Sequence, residues 1–333
     1  MEKSIVNIPV KVHIWIREDC QLAQYEVIKK ARPSVLFIQS DGGRNPEEWK
    51  AINCGRKLYE QLDWECNVYR IYSDVNLGMY TMGQKADDII WSHVDRCVFL
   101  EDDCIPSVSF FTFCEVLLEK YKDDDRIEMI CGMNSLGVCE EVSSDYFFSK
   151  GGSIWGFATW KRVYDGFDKE KKYSKDDYVL RCLKQATQKD NPKFCQQLIG
   201  YSQEEKYDGH IPWYEFYMAL DLYANNRLNI VPKYNMISCW GCTDNASHSS
   251  SIALLPHSLR QLFMSNVYEI TFPLIDPAFF VEDKFFQNEI NSILQGKNGF
   301  ERLFRKLEVV FLHIRAGSFF NWVKKKIGKK NET

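Results

Sequence analysis

Short apolar runs rich in β-branched residues alternate with stretches of helical periodicity as far as Cys131. Strands that alternate with helices form parallel sheets joined by right-handed crossovers. The pattern therefore predicts an α/β fold of the nucleotide-binding type, with a mostly parallel sheet flanked by helices. The predicted strands are Val10–Ile16, Val35–Gln39, Cys66–Ile71, Cys97–Leu100 and Ile127–Cys131.

The regular alternation stops after about Gly132, where an aromatic and glycine-rich segment, Phe147–Trp160, begins the second part of the chain. Aromatic rings such as Trp155 and Trp160, with Gly156 between them, are typical of a surface that stacks on sugar rings. Core packing between flexible glycine hinges accounts for the same composition. Both interpretations stay open from the sequence alone.

The charge of the 333-residue chain is unevenly distributed, although its formal net charge is only −4. Residues Asn298–Thr333 hold nine Lys or Arg and three Asp or Glu, a net charge of +6 that leaves −10 for the rest. An acidic body argues against general nucleic-acid binding. The tail also carries apolar residues at helical spacing from Phe300 to Ile314, which is typical of an anchor on an anionic lipid surface. A terminal helix packed on the domain, with its charged face in water, explains the same pattern.

The N-terminal residues Met1–Ile5 lack the apolar segment of a signal peptide, and no run of about 18 apolar residues occurs in the chain. We therefore expect a cytoplasmic protein without a membrane span. In that compartment the twelve cysteines are expected to be reduced thiols. Cys239 and Cys242, followed by His248, resemble half of a zinc or redox motif, but the second pair that such a site needs is missing.

Three consecutive carboxylates, Glu101, Asp102 and Asp103, directly follow the apolar run Cys97–Leu100. In open α/β sheets, ligands bind beyond the carboxyl ends of the strands. Like charges in a row repel one another unless a cation or several donors offset them. Mn²⁺ or Mg²⁺, held by one or two carboxylates together with a diphosphate, satisfies this arrangement. A solvated acidic turn is the alternative, and it is the preferred interpretation of the second triplet, Asp123–Asp125.

Several motifs in a fixed order give the chain a resemblance to the GT-A glycosyltransferases. Within this class it resembles bacterial surface-polysaccharide transferases that are similar to animal N-acetylglucosaminyltransferase I. The resemblance spans roughly Val10 to His248. It rests on Arg17 after the first strand, Ser40–Gly43, Asn76–Gly78, Glu101–Asp103 with Pro106 and Phe110–Phe111 behind it, Gly156–Trp160 and Asp244–His248.

The resemblance implies roles for the residues of a nucleotide-sugar site. Asp103 would coordinate Mn²⁺ or Mg²⁺ that bridges the nucleotide diphosphate. Asp102 would hydrogen-bond to the ribose, and Glu101 would face the nucleotide-sugar. Asp41, with Gly42 in the same turn, would contact the base.

The resemblance also implies residues on the acceptor side. Glu215 would deprotonate the acceptor hydroxyl, although the relatives more often carry Asp at this position. Trp155, Gly156 and Trp160 would line the acceptor side. His248 would lie on a closing loop near the diphosphate or the metal.

The resemblance also places Arg17 near the nucleotide.

The resemblance further assigns a role to each part of the chain. Residues 1–132 would form the half that binds the nucleotide-sugar. Residues 133–260 would form the acceptor-binding and catalytic half of the same GT-A domain. Residues 261–333 would form a basic, amphipathic helical extension.

The activity implied is that of a metal-dependent glycosyltransferase of surface-polysaccharide synthesis, which moves a sugar from a nucleotide-diphospho-sugar to a glycan or lipid-linked acceptor. One base opposite the leaving group implies direct displacement with inversion. The expected location is the cytoplasm, at the inner face of the plasma membrane if the tail binds lipid. One alternative is a sugar-nucleotidyltransferase, which the glycine-free sequence after the first strand disfavours. The other is a non-catalytic, membrane-peripheral protein that binds nucleotide-sugars.

Overall fold

The computed structural model describes residues 2–207, 211–241 and 252–324, which divide into two compact units. The sheets belong to the first unit, and helices make up most of the second. The first unit contains the described residues of Met1–Gly166, Arg227–Gly241 and Met264–Asp283. The second contains those of Phe167–Asn226, Cys242–Phe263 and Lys284–Thr333.

The first unit is built on a large mixed sheet, whose strand order among the described residues is β3-β2-β1-β4-β8-β6-β9-β7. Strands β3, β2, β1 and β4 pair in parallel, as do β6 and β9, whereas β8 runs antiparallel to both β4 and β6. Strand β7 is antiparallel to β9, and β5 pairs with β10 in a separate antiparallel ribbon. The strands are β1 Val6–Ile14, β2 Pro33–Ser40, β3 Asn67–Tyr72, β4 Arg96–Leu100, β5 Cys104–Pro106, β6 Ile127–Cys131, β7 Tyr146–Ser149, β8 Phe157–Trp160, β9 Leu228–Pro232 and β10 Ile237–Cys239.

Helices cover the sheet and form the second unit. Those of the first unit are α1 Glu18–Ala31, α2 Pro46–Leu58, α3 Met79–His93, α4 Ser109–Lys120 and α5 Lys161–Asp165. Those of the second are α6 Lys172–Lys175, α7 Asp177–Asp190, α8 Pro192–Gln203, α9 Tyr214–Ala224, α10 His257–Arg260, α11 Lys284–Gln295 and α12 Gly299–Arg315, with a short 3₁₀ turn at Ile252–Leu254. None of the described helices is both long enough and apolar enough to cross a bilayer.

The core of the first unit follows from the apolar runs of the sequence. Val10 and Val12 in β1 are fully buried, and the residues of β4 from Cys97 to Leu100 are buried as well. A strand that is apolar at consecutive positions is covered on both faces of its sheet. The predicted α/β fold class, a mostly parallel sheet flanked by helices and followed by a helical extension, is confirmed.

The aromatic segment Phe147–Trp160 forms β7, β8 and the loop between them. Phe147, Phe148, Phe157 and Trp160 are all buried. Four-residue strands that are buried throughout show no alternation, so the sequence pattern did not indicate them. For these four rings, core packing is the interpretation that the structure supports.

The second unit has its own core, built where α7, α8 and α9 pack together. Rings dominate it: Phe194 lies 5.6 Å from Phe216 and 5.7 Å from Tyr223, measured between ring centroids. Leu198 is fully buried beside them. This core supports the helix that carries Glu215.

Candidate functional site

The acidic triplet occupies the turn between β4 and β5. The N–H of Cys104 donates to the carbonyl of Glu101 at 3.2 Å and closes this turn. The side chains of Asp102 and Asp103 are buried, whereas Glu101 is exposed. Because β1 and β4 are parallel neighbours, the triplet lies beside the residues that follow β1.

Arg17, which follows β1 and precedes α1, bridges the two buried carboxylates. Its Nη1 donates to Oδ2 of Asp103 at 2.6 Å, and its Nη2 donates to Oδ1 of Asp102 at 3.1 Å. Nε of Arg17 lies 3.0 Å from Oδ2 of Asp102, which completes a forked ion pair. Planar guanidinium groups suit such two-point contacts, and the same geometry suits phosphate.

Burial and charge act against each other in this cluster. Burial is the main cause that raises the pKa of Asp102 to about 7; the charge of Arg17 opposes it, and the charge of Asp103 adds to it. Burial lowers the pKa of Arg17, but the charges of Asp102 and Asp103 outweigh burial and leave that pKa raised. Asp102 and Asp103 thus share the single positive charge of Arg17 in a buried environment. Such a cluster has the capacity to bind a further cation.

Gln24, on α1, stabilises the acidic turn through hydrogen bonds to its backbone. Its Nε2 donates to the carbonyl oxygens of Glu101 and Cys104, both at 2.7 Å. The side chain is 1% exposed, so these hydrogen bonds are shielded from water. Sequence reasoning missed Gln24, because a glutamine in an amphipathic helix gives no signal of what it contacts far along the chain.

Glu101, Asp103 and Cys104 offer ligand atoms that lie within 4.8 Å of one another. A hydrogen bond with Cys239 and then burial raise the pKa of Cys104 well above its usual value, so its thiol stays protonated and is a poor ligand. The two carboxylates remain, and carboxylate oxygens suit Mn²⁺ or Mg²⁺. The donor set therefore fits a hard divalent cation whose other ligands come from phosphate and water.

The space beside Asp103 depends on a glycine. A Cβ atom added to Gly241 would lie 2.4 Å from Oδ2 of Asp103, closer than a van der Waals contact allows. The N–H of Trp240 donates to the Asp103 carbonyl at 2.8 Å and fixes this approach. The backbone at Gly241 thus approaches the Asp103 carboxylate more closely than a residue with a side chain could.

Asp41, at the end of β2, organises the neighbouring loop. Its Oδ1 accepts hydrogen bonds from the N–H groups of Gly42 and Leu77, and its Oδ2 accepts one from Gly78, each 2.9 Å long. A Cβ on Gly42 would lie 2.4 Å from the backbone of Val75, so only glycine fits there. The predicted contact of Asp41 with a nucleotide base stays a prediction.

The three residues predicted for the acceptor side lie at different ends of β8. Phe157 pairs with Phe99, so Gly156 and the half-buried Trp155 precede β8 at the same edge as the acidic triplet. Trp160 lies at the other end of β8 and is buried, with its indole N–H donating to the Leu118 carbonyl at 3.0 Å. The structure therefore does not bring Trp160 together with the triplet.

The remaining predicted residues lie outside the first unit or outside the described chain. Glu215 is exposed in the first turn of α9, in the second unit. His248 and the loop residues around it lie outside the described residues, as does Cys242 of the Cys-x-x-Cys pair. The roles assigned to Glu215 and His248 stay predictions.

Two surface cavities of about 560 Å³ lie elsewhere on the first unit. One is at the amino ends of β2 and β4, where Ser34 and Asp95 line it. The other lies beside α2 and β3, where Arg56 and Tyr72 line it. Neither is lined by the acidic triplet, so the candidate site is defined by its charges and hydrogen bonds, not by these cavities.

No protein-family model matches the chain, and no curated protein sequence matches it. Among solved structures, the chain is similar to glucosyl-3-phosphoglycerate synthase from Mycobacterium tuberculosis, solved in complex with Mn²⁺, uridine diphosphate and phosphoglyceric acid. The match has a TM-score of 0.27 and 14% sequence identity, and covers 47% of this chain. This chain spans 57% of the other chain's length. A likeness of this degree does not assign an activity.

Proposed function

We propose that this protein is a divalent-metal-dependent glycosyltransferase that uses a nucleotide-diphospho-sugar donor. The observation that carries the proposal is the grouping of Glu101 and Asp103 at the carboxyl edge of the sheet, beside the guanidinium of Arg17. Sheets of this type bind ligands at that edge. Carboxylates for a cation and a guanidinium for a phosphate are together the groups that a nucleoside diphosphate requires.

In this proposal the chain's own residues bind and position the donor. Asp103 and Glu101 hold the cation, which when bound acts as a Lewis acid and stabilises the diphosphate leaving group. Arg17 donates hydrogen bonds to phosphate oxygens and stays oriented by Asp102. Gln24 keeps the turn rigid, so that the carboxylates need no rearrangement when the donor binds.

For the acceptor half of the reaction we propose Glu215 as the general base and inversion as the stereochemical outcome. General base catalysis contributes about 10² to 10⁴ in rate. We therefore expect Glu215→Gln to lower kcat by that range and to leave the KM for the donor unchanged. Glu205→Gln, which changes another exposed glutamate of the second unit, is the matched control. Equal kcat values for the two variants would remove Glu215 from this role.

We further propose a glycan or lipid-linked acceptor in surface-polysaccharide synthesis, at the cytoplasmic face of the plasma membrane. The support for this choice is the resemblance of the sequence to bacterial surface-polysaccharide transferases. An acceptor screen with membrane lipid extracts and a labelled donor tests it. Transfer of label only to a small soluble acceptor would contradict it.

The donor proposal is tested by thermal unfolding with UDP-glucose, GDP-mannose and a CMP-sugar, each with Mn²⁺ or with a chelator. A donor present at about 100 times its Kd stabilises the folded state by about 2.7 kcal/mol. We expect one nucleotide class to raise the Tm in the presence of Mn²⁺ and not in the presence of the chelator.

Asp103→Ala is expected to abolish both this shift and sugar transfer. Asp123→Ala, in the exposed second triplet, is expected to keep both. Full transfer activity in chelator would overturn the proposed metal dependence. Binding of the nucleotide-sugar without turnover on any acceptor, water included, would identify a non-catalytic binding protein instead.

A further inference from the structure

Helix α12 exposes six large apolar residues on one face. Its large apolar residues recur at intervals of three and four positions, so they share one side of the helix. No residue of α12 is buried, and the six on this face are 55% to 80% exposed. They are Phe300, Leu303, Phe304, Leu307, Phe311 and Ile314. We call this set the α12 apolar face.

The opposite side of α12 is attached to the rest of the second unit. Arg305 donates from Nη1 to the carbonyl of Ile293 at 2.7 Å and from Nη2 to that of Ser292 at 3.0 Å. Its side chain is only 12% exposed. These contacts with α11 orient the helix, so the exposure of the α12 apolar face is a consequence of how α12 is fixed.

The carboxylates of α12 are engaged within the chain. Glu301 pairs with Arg305 at 2.7 Å and also accepts from the N–H of Lys297 at 2.7 Å. Glu308 accepts a hydrogen bond of 2.9 Å from the N–H of His257. Their charge is therefore partly offset by neighbouring donors.

Three other cations of α12 are, by contrast, available. Arg302, Lys306 and Arg315 are exposed, and none of them forms a salt bridge with any residue in 2–207, 211–241 or 252–324. At 3.6 residues per turn, Lys306 and Arg315 fall on the two edges of the α12 apolar face. The surface beyond α12 is similar, with Phe320 79% exposed and Lys324 exposed.

We propose that α12 lies flat on an anionic membrane surface, with the α12 apolar face at the boundary of headgroups and acyl chains. A 17-residue helix is about 25 Å long, and a helix with one apolar face and one charged face lies in the interface instead of crossing it. Lys306 and Arg315 contact anionic headgroups from either edge. This binding does not rest on the proposed transfer reaction.

The cations favour a lipid surface over a second copy of the chain. A twofold dimer buries the same patch from both copies, which would bring the unpaired cations of both helices together. Lys is also depleted in protein–protein interfaces. An anionic bilayer offers both an apolar phase and the opposite charge.

The test is co-sedimentation of the full-length protein with phosphatidylcholine vesicles, with and without phosphatidylglycerol. We expect binding to the anionic vesicles that weakens as salt rises, and little binding to the neutral ones. The triple variant Leu303→Ser, Leu307→Ser, Phe311→Ser should lower the vesicle partition coefficient at least about tenfold. The matched control replaces equally exposed apolar residues of the first unit, Ile275→Ser, Phe279→Ser and Val281→Ser, and should bind like the wild type.

A charge pair completes the test. Lys306→Gln with Arg315→Gln should weaken binding roughly fivefold for each cation removed, whereas Lys193→Gln with Lys206→Gln, exposed in the same unit, should not. Failure of the wild type to bind anionic vesicles would overturn the proposal, as would equal losses in variants and controls. A dimer in analytical ultracentrifugation that the triple variant alone dissociates, without an effect on vesicle binding, would identify a second copy as the partner.

Discussion

Nη1 of Arg17 lies 2.6 Å from Oδ2 of Asp103, so the carboxylate proposed to bind a divalent cation is already paired with an organic one. Both side chains are close to fully buried, at 9% and 12% exposed. The guanidinium offsets the charge of Asp103 in the absence of ligand. When a ligand binds, a metal could replace the guanidinium at Asp103. A phosphate would then accept the hydrogen bond that Arg17 donates to Asp103 in this structure.

Removing this guanidinium should destabilise the folded protein. Arg17→Gln leaves Asp102 and Asp103 without their counter-ion, and breaking a buried pair in this way costs about 3–5 kcal/mol. Mn²⁺ should restore part of that loss, and should stabilise the variant more than the wild type. Urea unfolding with Mn²⁺ and with chelator measures both effects.

Arg44→Gln is the control for Arg17→Gln, because Arg44 pairs with Glu48 but is 61% exposed. Exposed pairs contribute about 0–1 kcal/mol. If the two arginine variants lose the same free energy of unfolding, or if Mn²⁺ stabilises them equally, the cluster around Arg17 does not have the role described.

Gln24 should be as important to the site as the acids it supports. Gln24→Leu removes the amide hydrogen bonds to the carbonyls of Glu101 and Cys104. The Glu101 carbonyl keeps the N–H of Cys104, and a buried polar group that loses its partner costs about 1–3 kcal/mol. The affinity for Mn²⁺ should also fall, because the turn that carries Asp103 is no longer fixed. Calorimetric titration and urea unfolding measure these two quantities.

For comparison, Gln84→Leu removes an amide of α3 that bonds to the side chains of Asp88 and Tyr164. This change should leave Mn²⁺ affinity unaltered. An unchanged affinity in Gln24→Leu as well would show that the turn keeps its geometry without the amide.

The glycine beside Asp103 offers a change that targets the proposed cation. In Gly241→Ala the new methyl group would lie 2.4 Å from Oδ2 of Asp103, so the carboxylate must move. We expect the loss of Mn²⁺ binding, measured by electron paramagnetic resonance, with little change in the circular dichroism spectrum. Gly299→Ala, where the added carbon meets no atom within 4 Å, is the control. Mn²⁺ binding by Gly241→Ala at wild-type affinity would place the cation elsewhere.

The stability of the protein should fall as the solution becomes acidic, in part through His13 of β1. Burial, and then the charges of Lys11 and Arg17, lower the pKa of His13 from 6.5 to about 3. The unfolded chain therefore binds a proton below pH 6.5 that the folded chain does not bind. The contribution is fully present above pH 6.5 and is lost as the pH falls towards 3, with a slope that approaches about 1.4 kcal/mol per pH unit.

The variant His13→Gln isolates this contribution. The raised pKa of Asp102 acts in the opposite sense, so the informative quantity is the difference between wild type and variant at each pH. The free energy of unfolding of the wild type minus that of the variant should fall from pH 7 to pH 4. A constant difference for His13→Gln would mean that folding does not lower the pKa of the histidine.

The strands of the parallel half of the sheet could be predicted from the sequence because runs of consecutive apolar residues indicate buried strands. β6 has the bounds that the pattern predicts, Ile127–Cys131, and β4 differs by one residue. The position of the acidic triplet at the end of β4 followed from the same run. Local composition is sufficient to predict an element that is short and strongly apolar.

Long-range partners could not be predicted in the same way. The contact of Gln24 with Glu101 joins residues 77 positions apart, and no periodicity encodes it. The insertion of β8 between β4 and β6, antiparallel to both, depends on tertiary packing. The burial of Trp160 against α4 could not be predicted from composition either.

Asp41 has little capacity left for a ligand, because three backbone N–H groups already converge on its two oxygens. An asparagine there would present one acceptor where the loop needs two. Substitution of Asp41 would therefore disturb the loop itself. Substitutions that aim to change the specificity of the proposed site should be made at side chains that border the loop and form none of its hydrogen bonds.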